Sequence, residues 1–216
     1  MNFQRIDLEH WHRKPYFEHY MNAGKCSFSI TANIRITELL DRLRDKNMKL
    51  YPAFIYMVSK VVNAYPEFRT AFNDKGELGY WERLNPCYTI FHQEDKTFSA
   101  VWSEYSEDFP RFYQTYLGDT RAVWRQKWLW AKKDVPANSF SVSSIPWTSF
   151  TSFDLHLANT EHLLPIITNG KYFSQGNDTY LPVSLQVHHA VCDGYHAGVF
   201  MNDVERLADC CGEWLL

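Results

Sequence analysis

The chain has 216 residues, 45% of them hydrophobic and 22% charged, which is enough apolar side chain for one large core and excludes a disordered chain. A formal net charge of -3 without any run of lysine or arginine excludes an ordinary nucleic-acid-binding surface. No stretch of about 18 apolar residues exists to span a membrane, and Met1 to His10 lack the apolar segment of a signal peptide.

In chain order, Ile30, Ala32, Ile34 and Ile36 alternate with Thr31, Asn33, Arg35 and Thr37, the period of a half-buried strand. Thr37 reads as the N-cap of a helix over residues 38 to 44, and a longer helix is predicted over residues 52 to 64, rich in Ile55, Tyr56, Val58, Val61 and Val62. Strands are predicted within residues 88–105, 139–157 and 172–189, with a helix over 110–128 after the first. Trp124, Trp128 and Trp130 precede a Lys132-Lys133-Asp134 turn, and core packing is expected for Trp124 and Trp128. Leu181, Val183, Leu185 and Val187 alternate with Pro182, Ser184, Gln186 and His188. After Gly194 the pattern becomes that of an amphipathic helix through Val199, Phe200, Val204, Leu207 and Ala208. This order of elements predicts an α/β protein, a two-layer sandwich of helices on a mixed β-sheet, forming a single domain over residues 1–216 without a linker. Five cysteines, Cys26, Cys87, Cys192, Cys210 and Cys211, are odd in number and without framework spacing, so reduced thiols and a cytoplasmic protein are expected.

The segment from Gln186 to His196 concentrates chemistry where a strand turns into a helix. His189 continues the apolar parity of the strand into a partly enclosed place, whereas His188 points the other way. An imidazole there is either a hydrogen-bonded core group or a general base, because histidine titrates near neutral pH. His188, His189, Cys192, Asp193 and His196 lack the paired spacing that presents metal ligands from one face, so no metal is expected. Cys192 reads as a small buried thiol rather than a nucleophile.

His188-His189-Ala190-Val191-Cys192-Asp193-Gly194 resembles the H-H-x-x-x-D-G signature of coenzyme A-dependent acyltransferases. The chain is similar to the chloramphenicol acetyltransferases of the trimeric, non-hexapeptide type nearly end to end. The likeness runs through Trp11-His12-Arg13-Lys14, Tyr51-Pro52-Ala53-Phe54-Ile55, Asn63-Ala64-Tyr65-Pro66-Glu67-Phe68-Arg69, Asn85-Pro86-Cys87-Tyr88-Thr89-Ile90-Phe91-His92 and Pro146-Trp147-Thr148-Ser149-Phe150-Thr151-Ser152-Phe153-Asp154.

The resemblance implies the coenzyme A-dependent acyltransferase fold and acetyl transfer from acetyl-coenzyme A to the primary hydroxyl of chloramphenicol. His189 would be the general base and the Ser143 hydroxyl the donor to the oxyanion, whereas the residues alone do not choose Ser143 over Ser141 or Ser144. Asp193 is implied to pair with Arg13 and shape the site. Tyr20, Phe98, Trp130, Leu155 and Thr168 would line the antibiotic pocket. Many relatives carry Leu-Phe-Pro where this chain has Leu129-Trp130-Ala131, which implies a bulkier wall. Trp147 and Tyr172 would lie along the coenzyme, with Lys49 and Lys171 near its phosphates. The family also implies a homotrimer with active sites at the subunit interfaces. A dihydrolipoamide-type acyltransferase is disfavoured, because no lipoyl domain or mobile Ala-Pro linker is expected. A silent binder of a hydrophobic ligand would not need His189, Ser143, Asp193 and Arg13 together.

Overall fold

The computed structural model describes residues 2–159 and 161–215. Its larger sheet has seven strands: β2 (Ser27–Arg35), β10 (Asp178–His188), β8 (Ile166–Asn169), β7 (Ser139–Ser144), β5 (Asn85–His92) and β6 (Thr97–Trp102) follow one another in space, and β9 (Phe173–Gln175) pairs with β10. β7 runs parallel to β5 and β8 and the other pairings are antiparallel, so the sheet is mixed. A small antiparallel sheet joins β1 (Phe3–Arg5), β4 (Leu78–Trp81) and β3 (Thr70–Phe72).

Helices α2 (Thr37–Asp45), α3 (Leu50–Ala64), α4 (Phe109–Val123) and α5 (Gly194–Asp209) contact the strands of the large sheet, and α1 (Lys14–Glu18) leads into a π-helical turn, His19–Ala23. α3 is buried almost all round, from Pro52 to Ser59 and at Val61 and Val62, as a helix apolar on every side must be. Against the helices the sheet sets Val142, Ile167, Leu181, Val183, Leu185 and Val187, all in the core. Neighbouring residues of those strands, Ser143, Thr168, Ser184, Gln186 and His188, face the other way.

Several predicted elements change on folding. Residues 88–105 are a hairpin rather than one strand, turning at 93–96 with Lys96 at φ 59, and residues 172–189 divide at Gly176, φ 61, where a left-handed turn suits glycine. The strand expected over 139–157 ends at Ser144, because Pro146 cannot donate to a ladder. The helix expected to residue 128 ends at Val123. Thr37 does not cap α2: its hydroxyl donates to Asp178 Oδ1 at 3.1 Å and accepts from Thr179 N at 2.9 Å, fastening the start of α2 to the start of β10. Trp124 and Trp128, expected in the core, are 61% and 73% exposed. They follow the last buried turn of α4, in a stretch whose backbone bonds to β6 through Leu129 O.

α3 is fixed to the sheet by Asn63, whose amide donates to Leu84 O at 3.0 Å while its Oδ1 accepts from Leu84 N at 2.8 Å. Asn63→Leu would leave both backbone groups of the fully buried Leu84 without these partners. A loss of about 2 kcal/mol in denaturant unfolding, at unchanged slope, is the expected outcome.

Candidate active site

β10 ends at His188 and α5 begins at Gly194, so a five-residue turn separates the two. Ala190, Val191 and Cys192 are its anchors, each 1% exposed or less. Cys192 N and Val191 N donate back to His188 O at 3.0 and 3.1 Å, and His188 Nδ1 accepts from Ala190 N at 3.1 Å. Burial drives the Cys192 thiol far above its ordinary pKa, so it remains an inert core group and not a nucleophile.

With the middle of the turn buried, its two ends carry His189 and Asp193. His189 N donates to Cys26 O at 2.8 Å. Its ring stacks on Tyr20, centroids 3.9 Å apart and planes 4° off parallel, and meets the edge of Phe28 at 5.2 Å. Nδ1 is buried without a hydrogen bond, which leaves Nε2 as the nitrogen toward the surface. Phe28 is the register partner of Val187, so His189 belongs to the helix-facing side of the sheet.

At the other end, Asp193 caps α5, accepting from Tyr195 N at 3.1 Å. Its Oδ2 accepts from Arg13 Nη1 at 3.0 Å, and Arg13 is 8% exposed. Burial raises the Asp193 carboxyl, but the Arg13 hydrogen bond and the nearby charges of His196 and Arg13 outweigh it and hold the pKa below 3.8.

Ser143 stands in register beside Thr168, and Thr168 beside Ser184, so the three form a row across the face opposite the helices. Leu155 is held over this face by two bonds with Gln186, its N donating to Oε1 at 2.9 Å and its O accepting from Nε2 at 2.7 Å. Phe98 and Trp130 are both exposed and share one edge, since Ala100 of β6 bridges to Trp130. Trp147 packs on Phe91 with centroids at 4.5 Å. Thr148 O accepts from Lys171 N at 2.8 Å, so Trp147 and Tyr172 leave the sheet at the same end. Glycine suits position 170, where a Cβ would sit 2.9 Å from the Phe150 ring and 3.2 Å from Thr148 O. Lys49 and Lys171 are exposed.

The groups therefore assemble in two sets. Extending the β10–β8–β7 ladder levels His188 with Ser139. Ser143 lies four residues farther along and two strands across, a Cα separation of about 16 Å. His189 is one residue farther still, and among the described residues no hydrogen bond or ring contact joins it to Ser143. Phe28 and Phe91, which shape the surroundings of His189 and Trp147, were not singled out by sequence; strand parity places Phe28 beside His189 only once the partner strand is known. Among the described residues no group of three or more His, Cys, Asp or Glu is arranged to hold a metal ion, and no helix is long and apolar enough to cross a membrane.

A family model described as chloramphenicol acetyltransferase matches residues 1–205. The chain belongs to the chloramphenicol acetyltransferase family. It is 54% identical over its whole length to a chloramphenicol acetyltransferase of Clostridium butyricum, covering 99% of that protein, and 50% identical to one of Staphylococcus aureus with all of both chains covered. Among solved structures, a chloramphenicol acetyltransferase superposes with a TM-score of 0.83 at 22% identity, covering 96% of this chain and 100% of that one. The dihydrolipoamide acetyltransferase of Azotobacter vinelandii gives a TM-score of 0.68 at 15% identity, covering 93% and 88%. These two likenesses show the fold, an α/β sandwich common to both kinds of acyltransferase.

Asp193→Asn keeps a capping side chain but leaves the Arg13 charge unpaired. Asp193 itself is partly solvated, its side chain 37% exposed, so the expected loss at pH 7 is on the order of 2 kcal/mol, below the about 3–5 kcal/mol of a fully buried pair. With a folded pKa below the unfolded one, this contribution is present above about pH 4 and fades as pH falls through the lowered value. Denaturant unfolding of wild type and variant should show a gap at neutral pH that closes on acidification; a gap independent of pH would contradict the ion pair.

Proposed function

We propose that the protein transfers acetyl from acetyl-coenzyme A to the primary hydroxyl of chloramphenicol, with His189 as general base. The neutral imidazole takes the hydroxyl proton through Nε2 as the oxygen attacks the thioester carbonyl. The resulting oxyanion is stabilised by the Ser143 hydroxyl, and collapse breaks the carbon–sulfur bond and returns the proton to the departing thiolate. Stacking on Tyr20 supports this role, since it fixes the ring plane and so the direction of Nε2. Arg13 and Asp193 shape the turn and take no part in proton transfer. Thr168, in register with Ser143, is suited to hold a water near the oxyanion.

Phe98, Trp130 and Leu155 supply exposed apolar surface to which a nitrophenyl ring can stack. Trp147 and Tyr172, also exposed, suit the coenzyme's adenine and pantetheine, with Lys49 and Lys171 for its phosphates. The product has lost a hydroxyl donor and gained bulk, so it would no longer fit the antibiotic's target. A cytoplasmic location agrees with acetyl-coenzyme A as cosubstrate.

The separation of His189 from Ser143 within one chain carries the quaternary part of the proposal. A base and an oxyanion donor must both lie within about 3 Å of the reacting atoms, which a Cα separation of about 19 Å along the ladder forbids. Each site is therefore formed between subunits, with His189 from one subunit facing Ser143 of the next; the family resemblance makes the assembly a homotrimer, each subunit a single domain over residues 1–216.

Thiol release from acetyl-coenzyme A in the presence of chloramphenicol tests the reaction. His189→Ala should abolish it, and Ser143→Ala should cost about 10²-fold to 10³-fold in kcat. Mixed assembly tests the shared site: the two inactive variants, unfolded together and reassembled, should recover about a quarter of the wild-type rate for statistical mixing of trimers. Failure to recover in folded, mixed oligomers would place base and donor in one chain.

A further inference from the structure

We propose that His196, oriented by Glu67, is a positioning residue for His189, acting by holding Asp193 from the side opposite Arg13. The inference rests on His189 being the base.

Asp193 is gripped on both carboxylate oxygens. Arg13 donates to Oδ2, and His196 Nδ1 lies 2.9 Å from Oδ1. The same Nδ1 is 3.2 Å from Asp193 N. One nitrogen cannot serve both contacts in one protonation state: accepting the Asp193 N–H requires a bare Nδ1, whereas donating to Oδ1 requires a protonated one. Nε2 faces Glu67 Oε1 at 3.8 Å, an ion-pair distance rather than a hydrogen bond, and a carboxylate on that side favours a proton on Nε2. The neutral ring then keeps Nδ1 bare and accepts the backbone N–H; the protonated ring donates Nδ1–H to the carboxylate. His196 holds Asp193 in both states, once by the backbone and once by the side chain.

Glu67 is itself fixed. It sits in the 3-10 turn Pro66–Arg69 at the exit of α3, where Phe68 packs on Phe200 of α5 at 5.5 Å and Tyr65 donates to Asp203 Oδ2 at 2.6 Å. The His196 and Glu67 side chains are 15% and 25% exposed.

Packing alone does not replace this arm. Arg13, Glu67 and Val191 border a cavity of about 350 Å³, together with Trp11, Thr70 and Tyr80. Packing fixes the middle of the turn, where Val191 is 1% exposed, but Arg13 and Glu67 face the cavity, so the polar grip on Asp193 defines where the turn ends. His189 lies four residues before that end, stacked on Tyr20. A displacement of about 1 Å at a reacting group is enough for a 10²-fold loss of rate.

The experiment measures steady-state kinetics of the assembled enzyme, with acetyl-coenzyme A and chloramphenicol varied separately. His196→Leu should lower kcat about 10-fold to 10²-fold while both KM values stay within about 2-fold of wild type. His196→Gln should recover most of the rate, because glutamine at this helix position accepts the cap residue's N–H in an ordinary capping box. Should His196→Leu fail to assemble, the Glu67 pair gives the same readout: Glu67→Ala should lower kcat and Glu67→Gln much less. Wild-type kcat in His196→Leu, or equal losses in the leucine and glutamine variants, overturns the inference. His189→Ala run alongside separates the two readings: retained activity there means that the base is elsewhere, whereas an inactive His189→Ala beside a fully active His196→Leu sinks the positioning role alone.

Discussion

Burial of β10 on both faces is the constraint from which the rest of the molecule follows. Leu181 to His188 are all buried, and a strand so enclosed must satisfy its backbone through neighbours on both sides; β2 and β8 supply them over the registers that join Leu185 to Ile30 and to Ile167. A slip of one residue would turn Leu181, Val183, Leu185 and Val187 away from the helices and bring Ser184, Gln186 and His188 into the core. The polar row has its own specific cover, Ser184 donating to Phe153 O and Gln186 bonding Leu155 from both ends of its amide. The register is thereby fixed from both faces, and the end of β10, where His189 stands, is fixed with it.

The turn after β10 combines tight anchoring with a local cost. Ala190, Val191 and Cys192 fill core space, and Asp193 and Arg13 form an ion pair whose arginine is nearly inaccessible. Yet His189 Nδ1 is buried without a hydrogen-bond partner. Unsatisfied buried polar atoms are uncommon, and they concentrate where structure serves chemistry. Here the stacked face of Tyr20 and the edge-on contact with Phe28 take the place of a polar partner in orienting the ring.

The parts of the fold that depend on local periodicity were legible in the sequence, and those that depend on partners were not. Alternation at Ile30–Thr37 and Leu181–His188 marked β2 and β10, and the apolar run from Ile55 to Val62 marked α3. Alternation alone could not separate one long strand from a hairpin in 88–105, because the turn at 93–96 is made of polar residues, Gln93-Glu94-Asp95-Lys96, without glycine or proline. Trp124 and Trp128 misled for a different reason: hydrophobicity suggests burial, but past the end of α4 both rings stay exposed among the described residues. In the site, the spacing of His189 and Asp193 is local and readable, whereas Ser143 stands out only through its register with Thr168. His196 was visible as chemistry in the motif, but its partner Glu67 is 129 positions away and is brought close only by the packing of α5 on the exit of α3.

Exposed aromatic surface connects these observations to assembly. Phe98, Trp130, Trp147 and Tyr172 are each about half exposed in the single chain, as are Trp124 and Trp128 to a still greater degree. Scattered apolar residues on a surface need no explanation, but Phe98 and Trp130 share an edge and Trp147 and Tyr172 leave the same end of the sheet, and grouped apolar surface marks binding. On the proposed reading, the acceptor and the coenzyme cover part of this surface and a neighbouring subunit, bringing His189, covers another part. The same apolar surface then serves both purposes: it favours association, and association supplies the base that the Ser143 face lacks. On that reading an unassembled chain is inactive, because Ser143 and His189 lie far apart along the β10–β8–β7 ladder and on opposite faces of the sheet.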